Sequence, residues 1–299
     1  MNNKFELQRE RDFGENISGI FTVLRSQFKT LMGAIVLISG PIILLFSIIV
    51  AYIGLGDINA LSDGNYDNLD FVDRYLSSLI SYGVLWFGNA MVSMVTFSYL
   101  KIYRDKENAS DITTDMVWQE TKKHILPVIA ASILSALVIG ISALFFFIPA
   151  IIFAIYLSMY VPIIVFEDLS VGNAFNKSFQ LVSDNFWMTL GLAIVVAIIT
   201  YFFTLAFTLP SIILTFVWSF NSMDTLTQGE GFAPMSETFT TLFLISGLLA
   251  NLASMLISVI PNLSIALHYF NLKEKKESSS LMTQISTMGS SETEERESY

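Results

Sequence analysis

Six long apolar runs cut this chain into seven polar pieces, and its cations lie almost wholly in alternate pieces. The runs span about Leu31–Ile53, Leu76–Leu100, Ile125–Phe147, Ile151–Phe166, Phe186–Leu209 and Thr240–Phe270. A helix needs about 20 apolar residues to cross the hydrocarbon of a bilayer, and most of these runs meet that length. The fourth is the shortest. The last is long enough to tilt or to project beyond the membrane. Only 14% of the 299 residues are charged, against roughly 25% for a soluble domain, too few for a surface facing water on all sides.

Of 16 Lys and Arg, 15 fall in the first, third, fifth and seventh pieces. Arg74 alone lies in the second. Cationic flanks resist translocation, so this asymmetry predicts both termini on the cytoplasmic side. The location it predicts is the inner membrane of a bacterium. The charged first segment and the length of the first run read as a retained span and not a signal peptide. There is no Cys, which removes disulfides and thiolate chemistry. The net charge of −10 and the absence of a basic patch argue against a nucleic-acid partner. Membrane lipids, and possible further membrane proteins, are the expected partners.

The polar pieces on the cationic side have structure of their own. Phe13, Ile17, Phe21, Leu24 and Phe28 follow helical spacing, and Asp12 with Glu15 has the form of a capping box. Such a segment is too polar to cross and suits the interface. Val171, Phe175, Phe179, Val182 and Phe186 repeat that stripe 158 residues on, and Gly33 then corresponds to Gly191. Ser170 takes the capping place, and Asp168 adds negative charge near the helix start. A weaker third copy precedes the third run, capped by Ser110 or Asp111, with Met116, Trp118 and Ile125 as its apolar face. The fold class read here is therefore all-α: a polytopic membrane protein with six transmembrane helices and three cytoplasmic-side amphipathic interfacial helices, organised as a threefold hairpin repeat. The divisions are an N-terminal segment over 1–11, the six-helix domain over 12–273, and a Ser/Glu-rich tail over 274–299 whose composition suits disorder.

Within the runs, Ser132, Ala136 and Gly140 form one line of small residues, and Ser246, Ala250, Ser254 and Ser258 form another. Such lines let helices approach closely where lipid removes any hydrophobic drive. Pro149 marks the turn between the third and fourth runs, and Pro41, Pro162, Pro210 and Pro261 predict local shape changes. Asn89 and Asn251 are the deep amides. They either bond each other or the backbone, or they line a polar cavity. No Asp, Glu, Lys or Arg lies deep in a run, which speaks against a proton-driven transporter.

Candidate chemistry gathers at the run ends. Glu167 and Asp168 are adjacent, and adjacent helical residues point about 100° apart, so each needs partners from elsewhere. The two histidines, His124 and His268, are expected on the same side. A metal-dependent hydrolase would need all four to converge. The five acidic residues Asp57, Asp63, Asp67, Asp70 and Asp73 are spaced too loosely for a calcium loop. No phosphate loop, nucleophile elbow or zinc-protease motif is present, and no cofactor is implied.

The stretch Pro162–Leu192 carries a proline and an acidic residue at a run's end, then an amphipathic helix with Ala174 and Ser178, then a run opened by Phe186 and Trp187. In these features the chain resembles the multi-span proteins grouped near the glycerophosphodiester phosphodiesterase membrane domain. The resemblance implies an integral membrane module that scaffolds partners or aids lipid-linked substrates. The phosphodiesterase chemistry of that group belongs to a separate soluble barrel, for which no polar segment here has room. The expected role is thus a non-enzymatic scaffold or lipid-handling module. The alternatives are a small-molecule or lipid transporter and, third, a membrane-embedded metal-dependent hydrolase.

Overall fold

The computed structural model describes residues 4–62, 71–106, 108, 111–229 and 232–297. Of the acidic stretch between the first two crossings, Asp63, Asp67 and Asp70 lie outside the described residues. All described secondary structure is helical: α1 (Phe13–Ile38), α2 (Gly40–Ser62), α3 (Phe71–Asp105), α4 (Thr114–Phe145), α5 (Phe147–Leu157), α6 (Tyr160–Glu167), α7 (Val171–Ser183), α8 (Phe186–Asn221), α9 (Met223–Thr227), α10 (Glu237–Ile257) and α11 (Val259–Glu297).

Six helical stretches are long and apolar enough to cross a membrane, and by length α1 is one of them. Its contacts show that it lies across one end of the bundle instead. Ser93 Oγ on α3 donates to Asn262 Oδ1 on α11 at 2.9 Å, which sets those two helices in register. Tyr99 and Leu267 each lie between one and two turns further toward the same end. On α1, Gly19 packs beside Leu267, while Thr30, three turns later, meets the Tyr99 hydroxyl at 2.6 Å. Two points three turns apart on α1 thus sit at one depth. The crossing falls to α2, whose described apolar part is Gly40–Gly56. The expected first span therefore divides at Ser39: Leu31–Ile38 continues α1, and the rest begins α2. The six crossings are α2, α3, α4, α5 with α6, α8, and α10 with α11. Three helices, α1, α7 and α9, do not cross.

Three of the helix breaks have a common cause. Pro41, Pro162 and Pro261 each follow a break by two to four residues, at Ser39, at Ser158–Met159 and at Ser258. Proline lacks the N–H that would bond the preceding turn, so the helix is weakest there. Pro127 and Pro210 sit inside unbroken α4 and α8. Between α4 and α5 the turn residue is Phe146, in extended conformation, and Pro149 stands in the first turn of α5.

The caps bear out parts of the reading and correct others. Asp12 and Glu15 form the capping box in full. Ser170 caps α7 by position, but its side chain makes no capping bond. The third amphipathic segment is not a separate helix: it forms the first turns of α4, capped by Thr113 in place of Asp111, while Ser110 lies outside the described residues. The two stronger copies also break differently. α7 stops at Ser183 before its span, whereas α1 runs on to Ile38, well past the matching position. Two amphipathic helices, not three, therefore stand apart at the cation-rich end, and α9 is at the opposite end. α11 continues through Lys273 without a break to Glu297.

The small-residue lines also differ from each other. On α4, Ser132 is buried and meets Tyr160 Oη at 2.8 Å, but Ala136 and Gly140 face outward. On α10, Ser246 and Ala250 are buried, and Ser211 of α8 donates to Ser246 at 2.9 Å. Ala174 and Ser178 on α7 are both fully buried. Ser178 Oγ donates to the Tyr156 carbonyl at 2.6 Å and accepts from the Met159 N–H at 3.3 Å. It thereby serves backbone groups left open at the α5–α6 break.

Candidate functional site

The cation-rich end is held by two ion-pair clusters that start from neighbouring residues. Asp168, at the end of α6, is left-handed (φ 54°), which turns its side chain away from that of Glu167. Glu167 faces α7 and α11. Its carboxylate takes Lys177 Nζ at 2.7 and 2.5 Å and the Tyr269 hydroxyl, with Lys273 Nζ at 3.6 Å. Asp168 faces α3 and α4. Its oxygens take Lys101 Nζ at 2.8 Å, and His124 Nε2 lies 3.4 Å away. Glu120 completes that group, bonding Lys101 at 2.8 Å, Lys123 at 2.6 Å and His124 at 3.2 Å.

Glu120, His124 and Asp168 offer three ligand atoms within 4.8 Å of one another, a spacing that suits a metal ion. Lys101 already places an ammonium between the two carboxylates, and with Lys123 on Glu120 it balances their charge. The arrangement works as a clasp joining α3, α4 and α6. Nearby, Arg11 spends its donors on the carbonyls of Leu7, Arg9 and Glu6. Burial and the adjacent Arg9 hold its guanidinium below the ordinary value. Its backbone N–H donates to Asn271 Oδ1 at 2.9 Å, tying the N-terminal segment to α11.

His268 is elsewhere. It is 2% exposed and packs against α8, where Nε2 meets Thr189 Oγ1 at 2.9 Å. The Thr189 hydroxyl also lies 3.0 Å from the Asn185 carbonyl. Its one proton serves either that carbonyl or the imidazole, and the other ring nitrogen of His268 is Nδ1. That Nδ1 is buried without a hydrogen-bond partner among the described residues. The four residues that a hydrolase would need thus occupy three places: His124 with Asp168, Glu167 with Lys177, and His268 with Thr189.

Two kinds of cavity lie within the crossing helices. Between α2, α3 and α10, a cavity of about 200 Å³ is lined by Asn89, Asn251, Ser47 and Ser254 among apolar neighbours. Asn89 donates to the Leu85 carbonyl of its own helix at 3.0 Å. A second space of about 220 Å³ shares Ser47 and Asn251 as wall. The other kind is a pocket of about 480 Å³ between the α5–α6 break, α8 and α11. Its wall runs from Thr189 to Thr204 on α8 and from His268 to Pro261 on α11. Leu192, Ala193, Val196 and Ala197 make the middle of its face on α8 apolar, with Thr189 before them and Thr200, Tyr201 and Thr204 after. The reading of the sequence missed this pocket. Its signal is the pair of alanines one turn apart on α8, where the neighbouring Ile194, Ile198 and Tyr201 are bulky and exposed.

Residues 122–272, half of the chain, match the family model described as a domain of unknown function, DUF7847, and the chain belongs to that family. No curated protein and no solved structure matches it. Every residue of the 480 Å³ pocket lies within the matched segment.

Proposed function

We propose that this DUF7847 member is a non-enzymatic lipid-handling module that seats an acyl chain between α8 and α11. The pocket itself carries this reading. Its α8 wall spans residues 189–204, about 22 Å of rise, starting at the cation-rich end. One leaflet of hydrocarbon is about 15 Å thick, so the pocket reaches from the interface past the mid-plane. An apolar wall at that depth has no use for water or for an ion, and a chain of methylenes fills it with dispersion contacts. The resemblance to phosphodiesterase membrane domains agrees with such a role without adding catalysis. The cation excess supports placing this end, and with it both terminal segments, on the cytoplasmic side of a bacterial inner membrane. The matching apolar stripes of α1 and α7 support descent from a repeated hairpin unit whose copies have since diverged in their breaks.

The test is spin-label spectroscopy of the purified full chain with phospholipids labelled on one acyl chain. The native protein should show a motionally restricted population, and Ala197→Trp, which fills the pocket from a half-open wall, should remove most of it. An unchanged population in that variant would refute the reading.

The adjoining spaces at Asn89, Ser47 and Asn251 favour a second reading, a polar solute path between α2, α3 and α10. Ser47 Oγ is buried there with no partner among the described residues. Asn251→Leu should close that path, and uptake into vesicles loaded with the purified chain measures the loss.

A further inference from the structure

The two helices with matching stripes, α1 and α7, differ on one face, and the difference points to a partner. Around α1 the side chains fall into three faces. Ile20, Val23 and Leu31 are fully buried against the bundle. Glu15, Ser18 and Thr22 are exposed and polar. Between these two faces runs an aromatic row, Phe13, Phe21 and Phe28, which is 38%, 39% and 57% exposed. Closing the end of the bundle uses the first face alone. Three large rings left open to water would be unfavourable.

The depth of the row is fixed by its neighbours. Phe21 and Phe28 lie between Gly19 and Thr30, which are level with Leu267 and Tyr99. Two residues beyond these come Tyr269 and Lys101, members of the two ion-pair clusters. The row therefore stands just inside the charged groups, where hydrocarbon gives way to headgroups.

Arg25 sits between Phe21 and Phe28 on the helix surface, four residues after one and three before the other, and Lys29 follows one turn on. Both are exposed, and neither has an ion-pair partner among the described residues. Other cations at this end are taken: Lys101, Lys123, Lys177 and Lys273 by Glu120, Asp168 and Glu167, and Arg9 by Glu15. The second copy supplies an internal comparison. Phe179 and Phe186, which match Phe21 and Phe28, pack on Tyr156 with ring centres 4.9 and 5.4 Å away. Phe21 and Phe28 have no aromatic neighbour among the described residues. The positions matching Arg25 and Lys29 are the neutral Ser183 and Trp187. Free cations thus flank the aromatic row on the helix that leaves it bare, and neutral residues take their place where the row stacks on protein.

We propose that α1 binds anionic phospholipid of the leaflet at this end, with Phe21 and Phe28 entering the acyl region and Arg25 and Lys29 holding the phosphate. An interfacial helix gains from both the buried apolar area and the attraction to anionic headgroups. A second copy seated face to face would set Arg25 and Lys29 against like charges, so the complementary occupant is an anion. The proposal is independent of the α8–α11 slot.

The experiment is native mass spectrometry of the full chain released from nanodiscs of equal phosphatidylglycerol and phosphatidylcholine. The native protein should retain phosphatidylglycerol in preference. Arg25→Gln with Lys29→Gln should cut that preference at least about fivefold, the scale of one cation near an anionic surface. Phe21→Ser with Phe28→Ser should cut it as well with the charges intact, because the cations are no longer held at headgroup depth. Lys275→Gln with Lys276→Gln, which removes the same charge from α11, and Ala197→Trp, which fills the slot, should leave it unchanged. The charge variant keeps the test decisive should the aromatic one misfold. No preference in the native protein, or one untouched by the α1 charge variant, overturns the proposal. So does an equal loss from the α11 pair, which would make the preference a property of the whole end. A dimer that the aromatic variant dissolves would give the row to a second copy and overturn it too.

Discussion

The two ends of the bundle are built on different terms. At the cation-rich end Phe97, Tyr99, Tyr103, Tyr269 and Phe270 are fully buried, Tyr99 stacking on Tyr103 and the others packing edge-on or tilted against Phe166. Glu120, Glu167 and Asp168 there find lysines from α3, α4, α7 and α11. At the other end the α4–α5 tip leaves Leu144, Phe145, Phe146, Phe147 and Ile148 between 85% and 70% exposed. Apolar side chains are satisfied by lipid as well as by protein, so nothing at that end needs a particular partner. At the first end, near water and headgroups, a buried charge or hydroxyl is costly unless matched, so the contacts there are specific. Specific positioning is therefore found at the end where the pocket meets Thr189 and His268.

That contrast can be broken in graded steps. Glu167→Gln leaves Lys177, Lys273 and the Tyr269 hydroxyl around a neutral group. Because the carboxylate is mostly buried, chemical denaturation in detergent should show a loss of about 3 kcal/mol. Lys101→Met removes the ammonium shared by Glu120 and Asp168 and should cost about 2 kcal/mol in the same assay. It should also speed proteolysis of the α3–α4 connection, since α3 and α4 lose their clasp. Ser178→Ala opens the bonds at the α5–α6 break and should cost about 1 kcal/mol. Leu144→Ala, at the exposed tip, should change stability by less than about 0.5 kcal/mol. A loss there as large as that of Glu167→Gln would mean that the two ends are held alike.

Much of this division was legible in the sequence, and the missing parts have physical reasons. Six apolar runs and one-sided cations led to the six crossings, and Asp12 with Glu15 gave the start of α1. The length of α1 was hidden because Leu31–Ile38 is apolar enough to read as membrane, while the break at Ser39 depends on Pro41 in the next turn. Glu167 and Asp168 were singled out as neighbours needing distant partners. Which partners they find depends on the left-handed backbone at Asp168, a conformation that residue type only weakly signals. His268 was placed at the end of its crossing, but its single bond to Thr189 and its bare Nδ1 arise from tertiary contact. Ala193 and Ala197 carry no signal of their own in the sequence, since alanine is an ordinary helix residue. They line a pocket only where the α5–α6 break and the start of α11 face them, a tertiary arrangement.

Photolabelling tests the central claim, that the α8–α11 slot seats a lipid chain, most directly. A phospholipid carrying a diazirine on one acyl chain would be activated with the full chain in nanodiscs, and the labelled peptides mapped. Labels should concentrate on α8 between Thr189 and Thr204 and on α11 between Pro261 and His268, and should vanish from both in Ala197→Trp. Labels spread evenly over the exposed α4–α5 tip and the outer faces of the other crossings, unchanged by that substitution, would contradict it.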